Sequence, residues 1–174
     1  MKNTLLFLFS FFPNVIATVD LKPYDSDNAV IFIIKNFGIN TDGELKGLKG
    51  TIKWDAENPP SSVFNVSVDV KTINTGIEMR DNHLKNEEYF DAEKYPIIQL
   101  ASTAVSADNI TGNLTIKGIT KEVTFPYKAT AYSGYYLFEG SFSINRKDFG
   151  IGAGSMSLGT AVTVNLKVKA KPLQ

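Results

Sequence analysis

The stretch Val162–Lys169, VTVNLKVK, decides the fold because apolar and polar side chains alternate strictly along it. Valine or leucine occupies every even position from 162 to 168, and threonine, asparagine or lysine occupies the positions between them. A period of two places one set on each face of a β-strand, whereas a helix needs apolar residues three or four apart. The stretch therefore predicts a strand with one apolar and one wet face, which is typical of antiparallel sheets.

Seven further segments are predicted to be strands. Alternation recurs at 65–71, 122–128 and 138–144, and strand-forming residues dominate Val30–Asn36, Leu48–Asp55, Ile97–Val105 and Asn109–Ile116. Val30–Ile34 is apolar throughout, so the pattern does not show which of its side chains share a face. Turn sequences such as Thr41-Asp42-Gly43, Lys117-Gly118 and Ser133-Gly134 separate these segments. The pattern predicts an all-β domain of about eight strands.

Eight antiparallel strands can close into a barrel, and closure removes the exposed edges that a sheet would otherwise have to protect. A sandwich of the immunoglobulin type is the alternative, but the chain has no cysteine and so lacks the usual Cys…Trp…Cys core. At eight strands the interior of a barrel is filled by side chains or holds one slender ligand. Periodicity does not distinguish these two outcomes.

The segment Gly76–Tyr95 interrupts the strand pattern. It is polar and charged and shows no alternation, and Met79–Asn86 within it predicts about two helical turns. A short helical excursion between two strands of an all-β domain predicts a lid over one end of the barrel.

Composition excludes several classes of function. The 174 residues fit one domain, and 18 basic residues balance 18 acidic ones, so nothing favours nucleic acid as a partner. The absence of cysteine excludes disulfides, thiolate metal sites and cysteine nucleophiles. With one histidine and no acidic cluster spaced like a calcium loop, we expect no metal and no cofactor.

The first residues have the layout of a secretory signal peptide. A basic start at Lys2 precedes the apolar run Thr4–Phe12, and Ala17 stands where a signal peptidase would cleave. The apolar run is too short to span a bilayer, and no other segment approaches that length. We therefore expect residues 1–17 to be a signal peptide and residues 18–174 to be a periplasmic or secreted domain without a stable membrane anchor. A buried N-terminal strand or helix is the alternative.

Catalysis has one candidate residue, His83 in the sequence Arg80-Asp81-Asn82-His83-Leu84. It is the only histidine available to stand between a nucleophile and a carboxylate, and no serine lies in a nucleophile-elbow context. A structural cluster of hydrogen bonds that pins the lid to the barrel is favoured over a catalytic role.

Apolar side chains on the predicted strand faces offer a second kind of site. Ordinary core packing explains them, and so does a hydrophobic tunnel for a long aliphatic ligand, since burial of each methylene is worth about 0.8 kcal/mol. The strand phases and the lid segment predict as tunnel-lining residues Phe32, Val66, Val68, Phe90, Leu100, Phe125, Phe142 and Val164.

An ordered set of motifs resembles one protein family. The motifs are Gly47–Ile52 leading to Trp54-Asp55, Val68-Asp69-Val70 with Ile73–Gly76, Arg80–Lys85, Glu88–Asp91, Lys94-Tyr95-Pro96, Gly112–Ile116, Gly118–Lys121 and Asn145–Ile151. Their order and spacing resemble the YceI-like domain, the bacterial periplasmic polyisoprenoid-binding proteins with a lipocalin-like barrel. The resemblance covers nearly all of residues 18–174.

The resemblance implies an eight-stranded antiparallel lipocalin-like barrel with a short lid helix and an elongated cavity. The implied ligand is a polyprenyl chain such as a quinone tail, or a fatty-acid-like amide. The resemblance also implies a lid motif of Arg80, Asp81 and His83 and a late motif of Arg146, Asp148 and Phe149. Since the segment Gly76–Tyr95 does not alternate, we expect Phe90 and the lid motif to close the mouth of the cavity. The chain departs from the family pattern with Asn36 in place of a histidine, Tyr89-Phe90 in place of Phe-Phe, and Leu100 in place of a phenylalanine.

These observations predict an exported, non-enzymatic protein that carries or sequesters an isoprenoid or fatty-acid-like amphiphile. Two alternatives stay open: an enzyme that acts on a bound lipid with His83 as acid or base, and a side-chain-filled barrel that serves as a protein-interaction module. The sequence does not decide the oligomeric state, and a homodimer stays among the options.

Overall fold

Nine β-strands, one α-helix and two short 3-10 helices make up the residues that the computed structural model describes, 18–173. The strands are β1 Val19–Tyr24, β2 Val30–Asn36, β3 Ile39–Trp54, β4 Val63–Asn74, β5 Ile97–Val105, β6 Asn109–Ile116, β7 Ile119–Tyr132, β8 Tyr135–Asn145 and β9 Leu158–Pro172. The helix α1 spans Glu78–Leu84, and the 3-10 helices span Pro59–Ser61 and Arg146–Phe149. The predicted signal peptide, Met1–Ala17, lies outside the described residues.

The strands close into an eight-stranded antiparallel barrel, as the sequence predicted. Strands β2 to β9 pair in the order β3-β2-β9-β8-β7-β6-β5-β4, and the β3–β4 pairing closes the ring. Strand β1 adds no further position to this ring of eight strands. It pairs with the last residues of β3 and β9, whereas β2 pairs with the earlier residues of the same two strands. Strands β1 and β2 are therefore two halves of one interrupted barrel strand.

The interruption between β1 and β2 is bridged by a side chain. The Asp25 carboxylate accepts hydrogen bonds from the backbone N–H groups of Gly47 at 3.0 Å and Leu48 at 2.9 Å. On the other side, the N–H of Lys167 donates to the carbonyl of Ala29 at 2.8 Å. Backbone groups that a continuous strand would have paired are thus satisfied, and the barrel wall stays closed.

Predicted and observed strands differ mainly at β1, which the sequence did not predict, and at the N-terminal end of β3. The bounds predicted for β2, β5 and β6 are confirmed, but β3 begins at Ile39 rather than at Leu48. The Thr41-Asp42-Gly43 sequence lies inside β3, and the chain turns instead at Phe37 and Gly38, which have φ values of 49° and 81°. A Cβ at Gly43 would lie 2.4 Å from the ring of Phe32, so this glycine serves close packing within the sheet and does not mark a turn.

The lid forms between β4 and β5, where the sequence predicted it. Helix α1 begins at Glu78 and ends at Leu84, two residues before the predicted Asn86. The chain that follows is fixed to the opposite side of the barrel, since the N–H of Gly152 donates to the carbonyl of Glu88 at 2.9 Å. Lys117, in the β6–β7 turn, donates to the carbonyl of Glu87 at 2.6 Å. We call this end of the barrel the lid end.

The opposite end of the barrel is filled by aromatic side chains. Trp54, Phe64, Tyr127 and Phe138 meet edge to face, with ring centroids 5.3–6.3 Å apart. Edge-to-face contacts of this kind add about 0.5–1.5 kcal/mol per pair beyond the burial of area. These four residues form an aromatic plug that closes the interior on this side. None of the helices within residues 18–173 is long and apolar enough to cross a membrane.

Candidate functional site

A slender cavity of about 190 Å³ lies between the aromatic plug and the lid end. Its wall is aliphatic and aromatic apart from six residues, which are Asn36, Thr41, Ser67, Thr75, Arg80 and Arg146. The cavity-facing part of β9 runs from Leu158 to Val168. At a rise of about 3.3 Å per residue and a strand tilt of about 40°, this part spans roughly 25 Å along the barrel axis.

Alternation of side chains along the strands builds the cavity wall, as the pattern at 162–169 predicted. Val162, Val164, Leu166 and Val168 of β9 line the cavity, and the polar residues between them face outward. The structure also resolves the phase of β2, which the sequence left open. Its even-numbered residues, Val30 to Asn36, line the cavity, and Phe32 lies beside Val164 in the strand register.

Seven of the predicted lining residues lie on the cavity wall: Phe32, Val66, Val68, Phe90, Leu100, Phe142 and Val164. Phe125 does not. It is buried in the packed half of the barrel, and its ring stacks on that of Phe142 with centroids 4.8 Å apart. Phe125 faces inward, but it belongs to a part of β7 where side chains fill the interior. Phe142 therefore marks the boundary between the packed half and the open half.

Sequence reasoning missed several wall residues. Ile98, Leu114, Ile116 and Ile144 occupy alternating positions of predicted strands, so the signal for them was present. Leu45 and Leu48 are different, because they lie three residues apart on β3 and yet both line the cavity. The register between β3 and β4 shifts in this region, and a β-bulge of that kind breaks the period of two on which the prediction relied.

The lid motif converges on Thr75. The carboxylate of Asp81 accepts hydrogen bonds from the N–H of Thr75 at 2.8 Å and from its hydroxyl. Arg80 donates from Nε to the Thr75 hydroxyl at 2.7 Å and from Nη2 to the Thr75 carbonyl at 2.6 Å. Asp81 is buried, and Arg80 lines the cavity. Both side chains thus hold the junction between β4 and α1.

His83 lies apart from this network. Its ring is exposed and contacts Tyr89 with centroids 4.9 Å apart, and it is not on the cavity wall. The predicted lid motif therefore divides into two residues that shape the mouth and one that faces solvent.

The late motif is organised by Arg146, which is 1% exposed. Its guanidinium donates five hydrogen bonds to backbone carbonyls: Nε to Gly159 at 2.8 Å, Nη1 to Ile151 at 2.6 Å and to Gly152, and Nη2 to Leu158 at 3.0 Å and Ser155 at 3.2 Å. The two ion pairs within residues 18–173 are Lys46–Glu44 and Lys71–Glu93, and neither involves Arg146. A ring of carbonyl dipoles thus takes the place of a carboxylate, and all five N–H groups are satisfied.

The other two residues of the late motif do not reach the cavity. Phe149 is 2% exposed and packs in a cluster with Leu114, Ile116 and Ile151 behind the cavity wall. Asp148 is exposed on the surface. Of the three residues Arg146, Asp148 and Phe149, only Arg146 lies on the cavity wall.

Polar wall residues gather where the strands end at the lid end. Asn36 is the last residue of β2, Thr41 is near the start of β3, and Thr75 directly follows β4. The Oδ1 atom of Asn36 is buried and has no hydrogen-bond partner among the described residues. An orphaned acceptor of this kind costs about 1–3 kcal/mol when it stays unsatisfied. Together with Arg80, these residues define a polar mouth to an apolar cavity. Residues 18–173 contain no group of three or more histidine and carboxylate side chains placed to hold a metal ion.

Several solved structures share this architecture. BcnA from Burkholderia cenocepacia superposes with a TM-score of 0.77 at 24% identity, over 82% of this chain and 95% of BcnA. A YceI protein from Campylobacter jejuni superposes with a TM-score of 0.69 at 23% identity, over 76% of this chain and 85% of that one. A domain from Saccharophagus degradans, described as polyisoprenoid-binding and implicated in plant cell wall breakdown, gives a TM-score of 0.69 at 12% identity, over 90% and 99% of the two chains. These likenesses show the fold.

Sequence comparison shows the family. A UPF0312 protein of Pseudomonas aeruginosa strain LESB58 is 34% identical over 141 residues, which are 75% of this chain and 72% of that protein. A UPF0312 protein of Enterobacter sp. strain 638 is 35% identical over 119 residues, 63% of this chain and 62% of that one. The family model of the YceI-like domain matches residues 22–170, which include strands β2 to β8, the lid and most of β9. The resemblance predicted from the motifs is confirmed, and the chain belongs to the YceI-like domain family.

Proposed function

We propose that this chain is an exported, non-enzymatic protein that carries or sequesters a long-chain isoprenoid or fatty-acid-like amphiphile in the cavity. The slender shape of the cavity and its apolar wall carry the proposal. The Saccharophagus degradans domain with the same fold, described as polyisoprenoid-binding, supports it.

The length of the cavity favours a long chain as ligand. The cavity-facing span of β9 is roughly 25 Å, whereas one leaflet of the hydrocarbon core of a bilayer is about 15 Å thick. Each methylene that leaves water gains about 0.8 kcal/mol. A chain that fills the cavity can therefore bind tightly without any strong polar contact, and a longer chain binds more tightly than a short one.

The polarity of the cavity ends sets the orientation of the ligand. The aromatic plug closes one end, so the apolar tail points toward Trp54 and the polar group stays at the lid end. There the unpaired Oδ1 of Asn36 can accept a hydrogen bond, and Arg80 lies on the same part of the wall. A hydroxyl, phenol or amide group, which donates hydrogen bonds, would satisfy Asn36.

Binding is favoured over catalysis by the position of His83. The chain has no other histidine, and this one is exposed and outside the cavity wall. A general acid or base has to reach the reacting atoms, at about 2.6–3.2 Å. Replacement of His83 by glutamine should therefore leave ligand binding unchanged. The export part of the proposal rests on the signal-peptide layout of Met1–Ala17.

The first test is to purify the protein natively from an exporting host and to analyse an organic extract by mass spectrometry. A co-purified isoprenoid or other long-chain lipid is the expected result. Recovery of no lipid, together with no saturable binding when polyprenols and quinones are titrated in, would overturn the proposal.

The second test places a charge on the cavity wall. Phe142→Glu should abolish binding, because an ionised carboxylate would have to be buried against the ligand. Ser143→Glu is the matched control, since Ser143 is the next residue of β8 and faces outward. Val164→Phe fills the cavity without adding charge, so it tests the same wall if the glutamate variant does not fold. Unchanged affinity in a folded Phe142→Glu or Val164→Phe protein would contradict the assignment of the cavity as the binding site.

A further inference from the structure

The most exposed large apolar side chains of residues 18–173 lie at the lid end of the barrel. Met156 is 101% exposed, Met79 83%, Phe37 82% and Ile39 72%. Phe37 and Ile39 flank the β2–β3 turn, Met79 lies on α1, and Met156 lies in the loop before β9. Ile77, directly before α1, is 53% exposed. We call these five residues the apolar rim.

Contacts between the segments place the rim around the mouth of the cavity. The N–H of Phe37 donates to the carbonyl of Ser157 at 2.9 Å, which brings the β2–β3 turn beside the Met156 loop. Across the turn, a Cβ on Gly43 would lie 2.8 Å from the Thr75 methyl group, so the start of β3 approaches the start of the lid.

The polar mouth residues share these segments. Asn36 is next to Phe37 in the chain, and Thr75 lies two residues before Ile77. The rim and the cavity mouth are thus formed by the same segments.

We propose that the apolar rim inserts into the surface of a lipid bilayer while the cavity exchanges its ligand. This inference rests on the proposed function, because it concerns how an amphiphile reaches the cavity. An exposed apolar patch marks an interaction surface, and this one surrounds the opening of an apolar cavity. A ligand that moves from a bilayer through such an opening does not have to cross water with its tail exposed.

The charges beside the rim show what kind of contact to expect. Within the same segments, the basic residues Lys35 and Arg80 stand against the acidic residues Asp42, Glu78 and the buried Asp81. No basic excess is available to attract anionic lipids, so the contact should depend on insertion of apolar side chains rather than on charge. Binding should therefore be similar on zwitterionic and anionic vesicles and insensitive to salt.

The first experiment measures association with vesicles of phosphatidylcholine by flotation. The double variant Phe37→Ser/Met79→Ser should bind roughly tenfold less tightly or worse, because two apolar side chains no longer insert. Val63→Ser/Leu173→Ser is the matched control, since these two side chains are 48% and 50% exposed at the plug end of the barrel. It should bind like the wild type. Association should also persist from about 0.1 M to about 1 M salt, over which the Debye length falls from about 10 Å to about 3 Å.

The second experiment separates this inference from the proposed function. Farnesol, a short isoprenoid alcohol, is titrated in without vesicles, and solanesol, a long polyprenol, is offered in phosphatidylcholine vesicles. The double variant Phe37→Ser/Met79→Ser, which we call the rim variant, should bind farnesol like the wild type but take up solanesol from vesicles more slowly. Failure of both proteins to bind farnesol and solanesol would count against the proposed function, whereas vesicle association tests the rim by itself.

Three results would overturn the rim as a bilayer-docking surface. They are solanesol uptake by the rim variant at the wild-type rate, loss of wild-type vesicle association at high salt, and a wild-type dimer that the rim substitutions dissociate. The dimer, measured by analytical ultracentrifugation, would identify a second copy of the chain as the partner of the rim.

Discussion

Replacement of Arg146 by methionine should destabilise the protein and loosen the lid end. Methionine has a similar length and is apolar, but it removes the five N–H groups that hold the carbonyls of residues 151, 152, 155, 158 and 159. These carbonyls lie in the loop that joins the second 3-10 helix to β9 and at the start of β9 itself. No other side chain among residues 18–173 donates a hydrogen bond to any of these five carbonyls.

The expected loss in the free energy of unfolding is about 2 kcal/mol. The contacts to Ile151 and Gly152 are fully buried, and the remaining three are partly open to water. The Ile151 carbonyl loses its buried partner, which costs about 1–3 kcal/mol. The Gly152 carbonyl keeps the hydrogen bond from the N–H of Ser155 at 3.0 Å, and water replaces the guanidinium at the other three. Burial of the methionine side chain on the apolar wall offsets part of this cost. Since domains of this size are stable by about 5–15 kcal/mol, the variant should fold but unfold at clearly lower urea.

The assay uses two signals that report on opposite ends of the barrel. Trp54 is the single tryptophan and lies in the aromatic plug, so its fluorescence follows global unfolding in urea. Amide hydrogen exchange in 147–159 follows local opening near Arg146. The expected result is a lower urea midpoint together with faster exchange in this segment.

Two control variants show whether loss of the guanidinium N–H donors of Arg146 causes the lower stability. Arg146→Lys keeps the charge but has three donors on one nitrogen, so it should recover part of the stability and not all of it. Lys147→Met changes the exposed neighbour and should shift stability by less than about 0.5 kcal/mol. An Arg146→Met protein with the wild-type urea midpoint and wild-type exchange in 147–159 would refute the reasoning.

Two further predictions concern polar side chains inside the barrel. Asn36→Leu removes the orphaned buried Oδ1 and should raise the free energy of unfolding of the ligand-free protein by about 1 kcal/mol in urea titrations; a decrease would contradict this. Burial, and secondarily the charge of Asp108, raises the pKa of Tyr127 above its ordinary value of 10.0. The folded state therefore holds the phenolic proton of Tyr127 more tightly than the unfolded state does. The contribution of this difference to the free energy of unfolding is lost as pH rises through the raised pKa. Between about pH 9 and about pH 12 the free energy of unfolding should fall more steeply for the wild type than for Tyr127→Phe. Parallel curves of unfolding free energy against pH for the two proteins would contradict this prediction.

The barrel strands could be predicted from sequence wherever one face is apolar, because alternation is a local property of the chain. The bounds of β2, β5 and β6 show this. β1 was not predicted, although Val19, Leu21 and Pro23 alternate with polar residues, because a proline inside such a run argues against a strand. β1 tolerates Pro23 because its pairing with β3 ends at Leu21, so Pro23 has one neighbouring strand, β9, instead of two.

The candidate site could be predicted in part. Inward-facing residues were identifiable from their phase, and seven of the eight predicted lining residues lie on the cavity wall. Phe125 has the same phase as a lining residue and yet packs in the filled half. Phase tells which side of a strand faces the interior, but it does not tell how far the side chains of seven other strands reach into it.

The sequence by itself determined that the chain is an all-β domain with one apolar face on most strands, that a lid follows the strand predicted at 65–71, and that the motifs are those of the YceI-like domain. Each of these features depends on a few consecutive residues or on the order of the motifs along the chain. The tertiary structure decided that Trp54 and its aromatic neighbours fill one half of the barrel and that the other half stays open. It also brought Phe37, Met79 and Met156 to one mouth. These outcomes depend on volumes and distances between residues far apart in sequence, which exist only once the ring of strands has closed.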